Sequence, residues 1–427
     1  MIGEATQCED LIQLKVNGWV HSINALAKAA KKSPQAAFAA MAKSLQFEWS
    51  HVQKVVRNCG PMLQRLHDAI VTNFFPALFD SDVSELETSM FFLPARMGGL
   101  GIRDPIDLCD VDFDSSRDGV TVISAAIDGT SEFDWSEHLA SLHAASASRH
   151  GSVNSLYEEK LHLILDQFPN AQRRAIKRAV GGGISHWLTT IPLEQYHFDL
   201  APIKFRDALA MRYLRTPTGL PSRCDGCGES FTLQHGLDCP KGGLIIRRHN
   251  EIRDCLGDMA ALVWPQVIRE PVVREGDPAS DDPGLRLDLG IRGVWQPQME
   301  ALFDIRVIDT DAPSYQRRSP VSILDSGAVE KKRVYRSAVE DRRGNFTPFV
   351  LSVDGLLQRE ASHFVKRLSA NLASRWEKPF SDVLTFVHSR LLFASVRSAS
   401  MCLRGSRIKW RSGLGFDDGA PLQFIIQ

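Results

Sequence analysis

Four residues of this chain have the types and spacing of a metal site: Cys224, Cys227, His235 and Cys239 run as Cys-x2-Cys-x7-His-x3-Cys. A Cys-x2-Cys turn presents two thiolates to one ion, and a His and a Cys three residues apart complete a tetrahedron suited to zinc. Gly226 and Gly228 relieve the tight turn around the first pair. Four protein ligands leave no open coordination position, so the zinc expected here is structural. The loop-rich stretch has little core of its own and depends on the ion for its shape.

A second constellation is acidic. Asp288 interrupts the apolar run Leu285–Leu289, and Asp304 interrupts Leu302–Val307. A carboxylate inside an apolar strand is costly unless it is paired or bound to a metal. Two of them on adjacent strands can converge on one hard divalent cation, Mg²⁺ or Mn²⁺, which prefers oxygen ligands. Such an ion polarises a phosphate and lowers the pKa of its bound water, the chemistry of phosphodiester hydrolysis. A cation must offset the charge that builds up in the transition state. Arg306, two residues after Asp304, points to the same strand face. Lys331 and Lys332 open the following helix; a helix lysine is the better expectation, with Lys332 marginally ahead because Tyr335 and Val339 give it core-like neighbours. Glu251 and Glu270 are candidates for a third carboxylate.

The elements that must position these residues change character along the chain. Residues 1–110 read as helical, with a helix start at Ser33-Pro34 and helices over 48–58 and 62–79. The stretch Leu93–Ile102 is a glycine-punctuated turn without the strand and helix context of a phosphate loop. Residues 111–220 form a helical linker region, Asp/Ser-rich and weakly patterned up to 155 and expected to hold one helix there, then helical with an interruption at Gly181-Gly182-Gly183. Arg173, Arg174, Lys177 and Arg178 sit at helical spacing and read as a solvated face. The zinc knuckle occupies 221–245. Beyond it, β-type runs at 267–273, 285–291, 301–308 and 346–353 alternate with helical runs at 248–263, 328–339 and 360–376. An α+β fold with a mixed central sheet in residues 246–427 is the expectation.

Composition limits the function classes. The chain has 427 residues, 44% hydrophobic content and a formal net charge of −1, so it is not a basic nucleic-acid binder as a whole. Any such binding belongs to local patches. Arg317, Arg318, Lys331, Lys332, Arg333, Arg336, Arg342 and Arg343 form one cluster that could follow a DNA backbone; Arg397, Arg404, Arg407, Lys409 and Arg411 form another. No apolar run reaches the ~18 residues of a membrane span. Five of the eight cysteines are scattered, and no signal-peptide pattern opens the sequence. A reducing, nuclear or cytoplasmic setting is therefore expected.

The zinc spacing, the Arg248-His249-Asn250 tripeptide, the two strand aspartates and the Glu330-Lys331-Lys332-x-x-Tyr335 helix together resemble the C-terminal end of non-LTR retrotransposon polyproteins. The elements meant carry a restriction-like endonuclease of the PD-(D/E)xK type. Cys239–Gly243, Phe346–Phe349 and Arg397–Ala399 are similar to this group, and Leu93–Ile102 is similar to the thumb-like segment after its reverse-transcriptase palm. The resemblance implies that Asp288 and Asp304 bind the catalytic divalent metal, that a lysine such as Lys331 or Lys332 completes the site, and that the substrate is a DNA target, with element RNA a possible second partner. The family's Asp-x-Lys reads Asp304-Ile305-Arg306 here, and arginine does not replace a lysine that contacts water. No polymerase centre is present: Asp281-Asp282 lies in a Pro/Gly loop and Asp417-Asp418 lacks strand flanks. The leading expectation is an endonuclease that nicks target DNA to prime reverse transcription. The alternatives are a zinc-knuckle module that binds nucleic acid without cutting, and a decayed mobile-element remnant.

Overall fold

The computed structural model describes residues 5–181, 183–276 and 284–408. Asp281, Asp282, Lys409, Arg411, Asp417 and Asp418 lie outside them. The chain is α+β: a large helical assembly, a cysteine-rich hairpin and a small mixed sheet wrapped by helices.

The first helix, Ala5–Lys32, buries Ile12, Val16, Trp19, Ile23, Ala27 and Ala30. Steps of three and four residues put these on one stripe. The helix is stopped by Ser33, and a new one starts with Pro34 at its first position. The expected helices over 48–58 and 62–79 appear as Ser50–Val55 and as a run from Gln64 to Phe79 that widens to a π-turn at Ile70–Phe74. Leu93–Ile102 is a turn, as its glycines imply. Gly98 and Gly101 have φ of +91° and +73°, and a Cβ on Gly99 would lie 1.9 Å from the Leu93 carbonyl. Its carbonyls are held from within, by Arg212 to Ala95 and Gly99 and by Tyr213 to Gly98.

Residues 111–155 differ from the reading of a linker with one helix. They carry most of Cys109–Gly119, all of Thr121–Ile127 and the larger part of the 31-residue helix Trp135–Leu165. This last helix is only weakly amphipathic and buries just His138, Ala145 and Tyr157, so no periodic apolar stripe marked it in the sequence.

The sheet contains β1 (Val267–Arg269), β4 (Leu289–Arg292), β5 (Glu300–Ile308) and β6 (Asn345–Ser352) in the order β1-β4-β5-β6; β2 (Val272–Arg274) and β3 (Leu285–Arg286) form a separate antiparallel ribbon. Two strands expected to be continuous are thus each broken in two. The cause is Glu270-Pro271. Glu270 takes a left-handed φ of +52°, and Pro271 has no N–H to give to a ladder. On the partner strand the break falls at Leu287-Asp288, where Leu287 N–H bonds Pro271 and Asp288 N–H bonds Phe303. β4 and β5 are antiparallel; β5 and β6 are parallel, joined by the crossover helix Pro320–Asp341.

Alternation along β5 decides what each face meets. Ala301, Phe303 and Ile305 enter a core with the helices Leu244–Ala261, Arg359–Trp376 and Phe380–Arg404. Leu302 and Ile308 point the other way, to clusters built with the crossover helix. The helix Phe380–Arg404 also supplies Leu392, Phe393, Val396, Ala399, Cys402 and Leu403 to the core of the N-terminal helices. Packing therefore crosses the expected boundary at residues 245–246 without a seam. No helix among the described residues is long and apolar enough to cross a membrane.

Candidate metal centre and acidic site

Ser222–Phe231 folds as a short hairpin around the first cysteine pair. Cys224 N–H bonds the Glu229 carbonyl and Gly228 N–H bonds the Cys224 carbonyl. Gly228 takes φ +79°, the left-handed geometry a tight turn needs, whereas Gly226 is required for space: a Cβ there would lie 2.6 Å from Cβ of Arg407. The helix Leu233–Asp238 follows, capped by Thr232 whose hydroxyl accepts the His235 N–H. It delivers His235 and, at its end, Cys239.

The ligand atoms of Cys224, Cys227, His235 and Cys239 all lie within 4.8 Å of one another. Cys224 Sγ is 3.8 Å from Cys239 Sγ, Cys239 Sγ is 3.9 Å from Cys227 Sγ, and Cys227 Sγ is 3.3 Å from His235 Nε2. Zinc–sulfur bonds of ~2.3 Å in a tetrahedron give sulfur–sulfur edges of about 3.7 Å, so the spacing fits the ion. Burial opposes ionisation of Cys224, but hydrogen bonding from His235 overrides it and brings the thiol down to about 6, toward the thiolate a metal needs. These four residues form a centre that could hold a metal ion, and zinc suits their donor set. Among the described residues no other group of three or more such ligands comes together.

The centre is bolted to its surroundings. Arg407 donates to the Gly236 and Cys402 carbonyls, and Asp225 accepts from Ser406 Oγ and Arg407 N–H. Arg248, only 3% exposed, donates to the Leu237 carbonyl. Arg404 pairs with the fully buried Asp207 at 2.6 Å, and Arg397 donates to the His197 and Asp199 carbonyls. The described members of the second basic run are therefore structural clamps.

The acidic residues meet at the strand break. Continuing the register Leu289↔Phe303 by one residue sets Asp288 across from Asp304. Asp288 Oδ2 accepts the Ile305 N–H at 2.5 Å and lies 3.1 Å from Nε2 of His249. Asp304 is 6% exposed, on the face turned to the crossover helix. Lys331 Nζ stands 2.7 Å from Asp304 Oδ2 as an ion pair without hydrogen-bond alignment. The same ammonium lies 5.4 Å from the ring centre of Tyr335, one turn on. Burial pushes the Asp304 carboxyl up; Lys331 opposes this, and Asp288 adds to it. Burial works against a charged His249, but the Asp288 carboxylate prevails and raises its pKa.

The other sequence candidates are placed elsewhere. Lys332, marginally favoured from its neighbours, pairs with Glu360 at 2.5 Å. Adjacent helical positions point about 100° apart, so only one of the two lysines can face the sheet. Arg306 shares the face of Asp304 but is held by Glu330 at 2.5 Å. The Glu270 carboxylate is taken by Arg253, leaving only its main-chain N–H, 3.0 Å from the Asp288 carbonyl, at the site. Glu251 is exposed, two residues from His249 and so about 200° around the helix. His249 was not singled out as a site residue. Its only signal was its place in the Arg248-His249-Asn250 tripeptide of the helix Leu244–Ala261, which does not tell what the ring faces without the fold.

Arg174 and Arg178 are not on a solvated helix face. Arg178 pairs with Asp311 at 2.6 Å and with Asp354 at 2.5 Å, and Arg174 donates to the Thr310 carbonyl at 2.6 Å.

Comparison of the sequence with known protein-family models and with curated proteins gives no match, so any functional reading rests on this geometry.

Proposed function

We propose that the chain is a metal-dependent DNA endonuclease with a restriction-like, PD-(D/E)xK arrangement, the nicking part of a retrotransposon-type protein. The observation that carries the reading is the opposed pair Asp288 and Asp304 with Lys331 on the buried carboxylate. Two opposed carboxylates, with the Lys331 ammonium beside the buried Asp304 Oδ2, form an oxygen-rich set suited to Mg²⁺ or Mn²⁺. When bound, such an ion polarises the scissile phosphate and activates water. Asp288 and Asp304 would hold it. His249 Nε2 and Ile305 N–H both engage Oδ2 of Asp288, which fixes the carboxylate and leaves Oδ1 as its oxygen for an ion. Lys331 takes the role that Arg306 cannot, because an ammonium can shed a proton and a guanidinium cannot. Its charge offsets that of the pentacovalent phosphate.

The test is conversion of supercoiled plasmid to open circles in Mg²⁺, with a control lacking added divalent metal. Asp304→Ala and Lys331→Ala should each lower the nicking rate by about 10²-fold or more, while Lys332→Ala stays near the parent. Parent-like nicking by the first two variants would move the chemistry elsewhere. A parent that binds DNA and never nicks would favour a zinc-knuckle binding module, the reading suggested by an arginine at the Asp-x-Lys position.

A further inference from the structure

A cleft of about 620 Å³ opens between the helix Asn170–Ala179 and the start of the crossover helix Pro320–Asp341. Six cations line it, Arg173, Arg174, Lys177, Arg178, Arg317 and Arg318, and no carboxylate does. Behind its wall Asp311 and Asp354 neutralise Arg174 and Arg178, and Asp166 lies 3.3 Å from Arg173. Six cations against these three acids leave Lys177, Arg317 and Arg318 without a carboxylate partner among the described residues. Arg318 is anchored by the Ser322 carbonyl and Ser326 Oγ, whereas Lys177 and Arg317 are exposed.

The helix start adds a donor. Ser319 Oγ accepts the Ser322 N–H and the Ser319 carbonyl accepts the Ile323 N–H, while Pro320 has no N–H to give. The Val321 N–H is left at the cleft wall, at the positive end of a 22-residue helix. Like charges gathered without counter-charge repel one another, and a bound polyanion relieves that repulsion.

We infer that this cleft is a binding site for the phosphodiester backbone of DNA, with Lys177, Arg317 and the Val321 N–H as its contacts. It does not depend on cutting, and takes from the endonuclease reading only the identity of the polyanion. Val321 and Lys331 lie ten residues apart on one helix, about 15 Å along its axis. That is about four base-pair steps of one strand at 3.4 Å each. A strand held in the cleft thus sits within a few nucleotides of the Asp304 site, and the same helix sets both positions.

The experiment titrates a labelled DNA duplex with the full, zinc-loaded chain in buffer without Mg²⁺, Mn²⁺ or chelator, at several salt concentrations. Lys177→Glu/Arg317→Glu should weaken binding about tenfold or more near 0.1 M salt and reduce the salt slope by about two. Lys177→Arg/Arg317→Lys should retain both, and Arg117→Glu, on the helix Cys109–Gly119 and outside the cleft lining, should change neither. Parent-like affinity and slope in the double charge reversal would overturn the inference, as would a parent that does not bind duplex. Displacement of the duplex by equimolar free ATP would also overturn it, in favour of a mononucleotide pocket. Because binding is read without Mg²⁺ or Mn²⁺, a chain that binds as expected but never nicks sinks only the endonuclease reading. A chain that nicks normally with both charges reversed sinks only the cleft.

Discussion

Asp309 stands at the end of β5, 5% exposed, with Oδ1 accepting the Asp311 N–H and Oδ2 meeting no donor. Burial, reinforced by Asp238, pushes its carboxyl up to about 7. The folded chain therefore keeps a proton that the unfolded chain releases near pH 4, so stability falls as pH rises from about 4 to 7 and levels off above. Asp309→Asn keeps the Oδ1 acceptor and removes the titration. The stability difference between variant and parent should move in favour of Asn by about 2–4 kcal/mol between pH 4 and pH 7.5, read by urea unfolding at each pH; a flat difference would show that Asp309 ionises normally. At this scale the sequence was informative where a residue type contradicts its surroundings. Asp288 and Asp304 stand out because a lone acid in an apolar strand needs a reason. Choosing Lys331 over Lys332 needed the azimuth of a helix against a sheet, which depends on how the helix packs. Finding His249 needed the strand break that swings Asp288 toward it.

The elements follow their local signals until a tertiary partner intervenes. The convergence of Cys224, Cys227, His235 and Cys239 was legible in the sequence, because metal-ligand spacing is itself a geometric statement. Its attachment was not, since Arg248 and Arg407 reach it from more than ten and more than 160 residues away in sequence. That attachment sets what metal loss does. Leu233 and Leu237 belong to the helical core, so the hairpin cannot loosen alone. The purified chain should carry one zinc, and stripping it with a strong chelator should lower the melting temperature by about 5 °C as metal-binding energy is lost from the folded state. Cys227→Ser should act in the same direction. Thiols that stay slow to react after chelation, with an unmoved melting temperature, would rule the centre out. The breaks that split two expected strands came from Pro271, a residue whose position in the run already argued against a central strand.

At the scale of the molecule, the helix Phe380–Arg404 joins what composition and motifs kept apart. From Leu391 to Leu403 nearly every residue is buried, serines included, the mark of a helix enclosed on all sides. In the sequence only its basic residues Arg397 and Arg404 were marked, because nothing local tells which cores the helix fills. Phe198 stacks on Phe393 at 5.1 Å, Thr190 Oγ1 meets Ser389 Oγ at 3.1 Å and Ser400 donates to Asp207 at 2.7 Å. A fragment of residues 1–219 lacks this helix and should expose the apolar surface it covers. It should bind an apolar dye and self-associate in sedimentation, whereas a monodisperse fragment with its own cooperative melt would show that the helical region closes by itself.

Synthesis makes the same helix a matter of time. Phe198 and Phe393 are 195 residues apart. At ~5–20 residues per second the ribosome takes roughly 10–40 s to cover that distance. Throughout that interval the N-terminal helices are outside the tunnel with an open apolar groove and no partner for it. The nascent chain therefore carries an uncovered apolar groove for tens of seconds, and slower elongation lengthens that exposure.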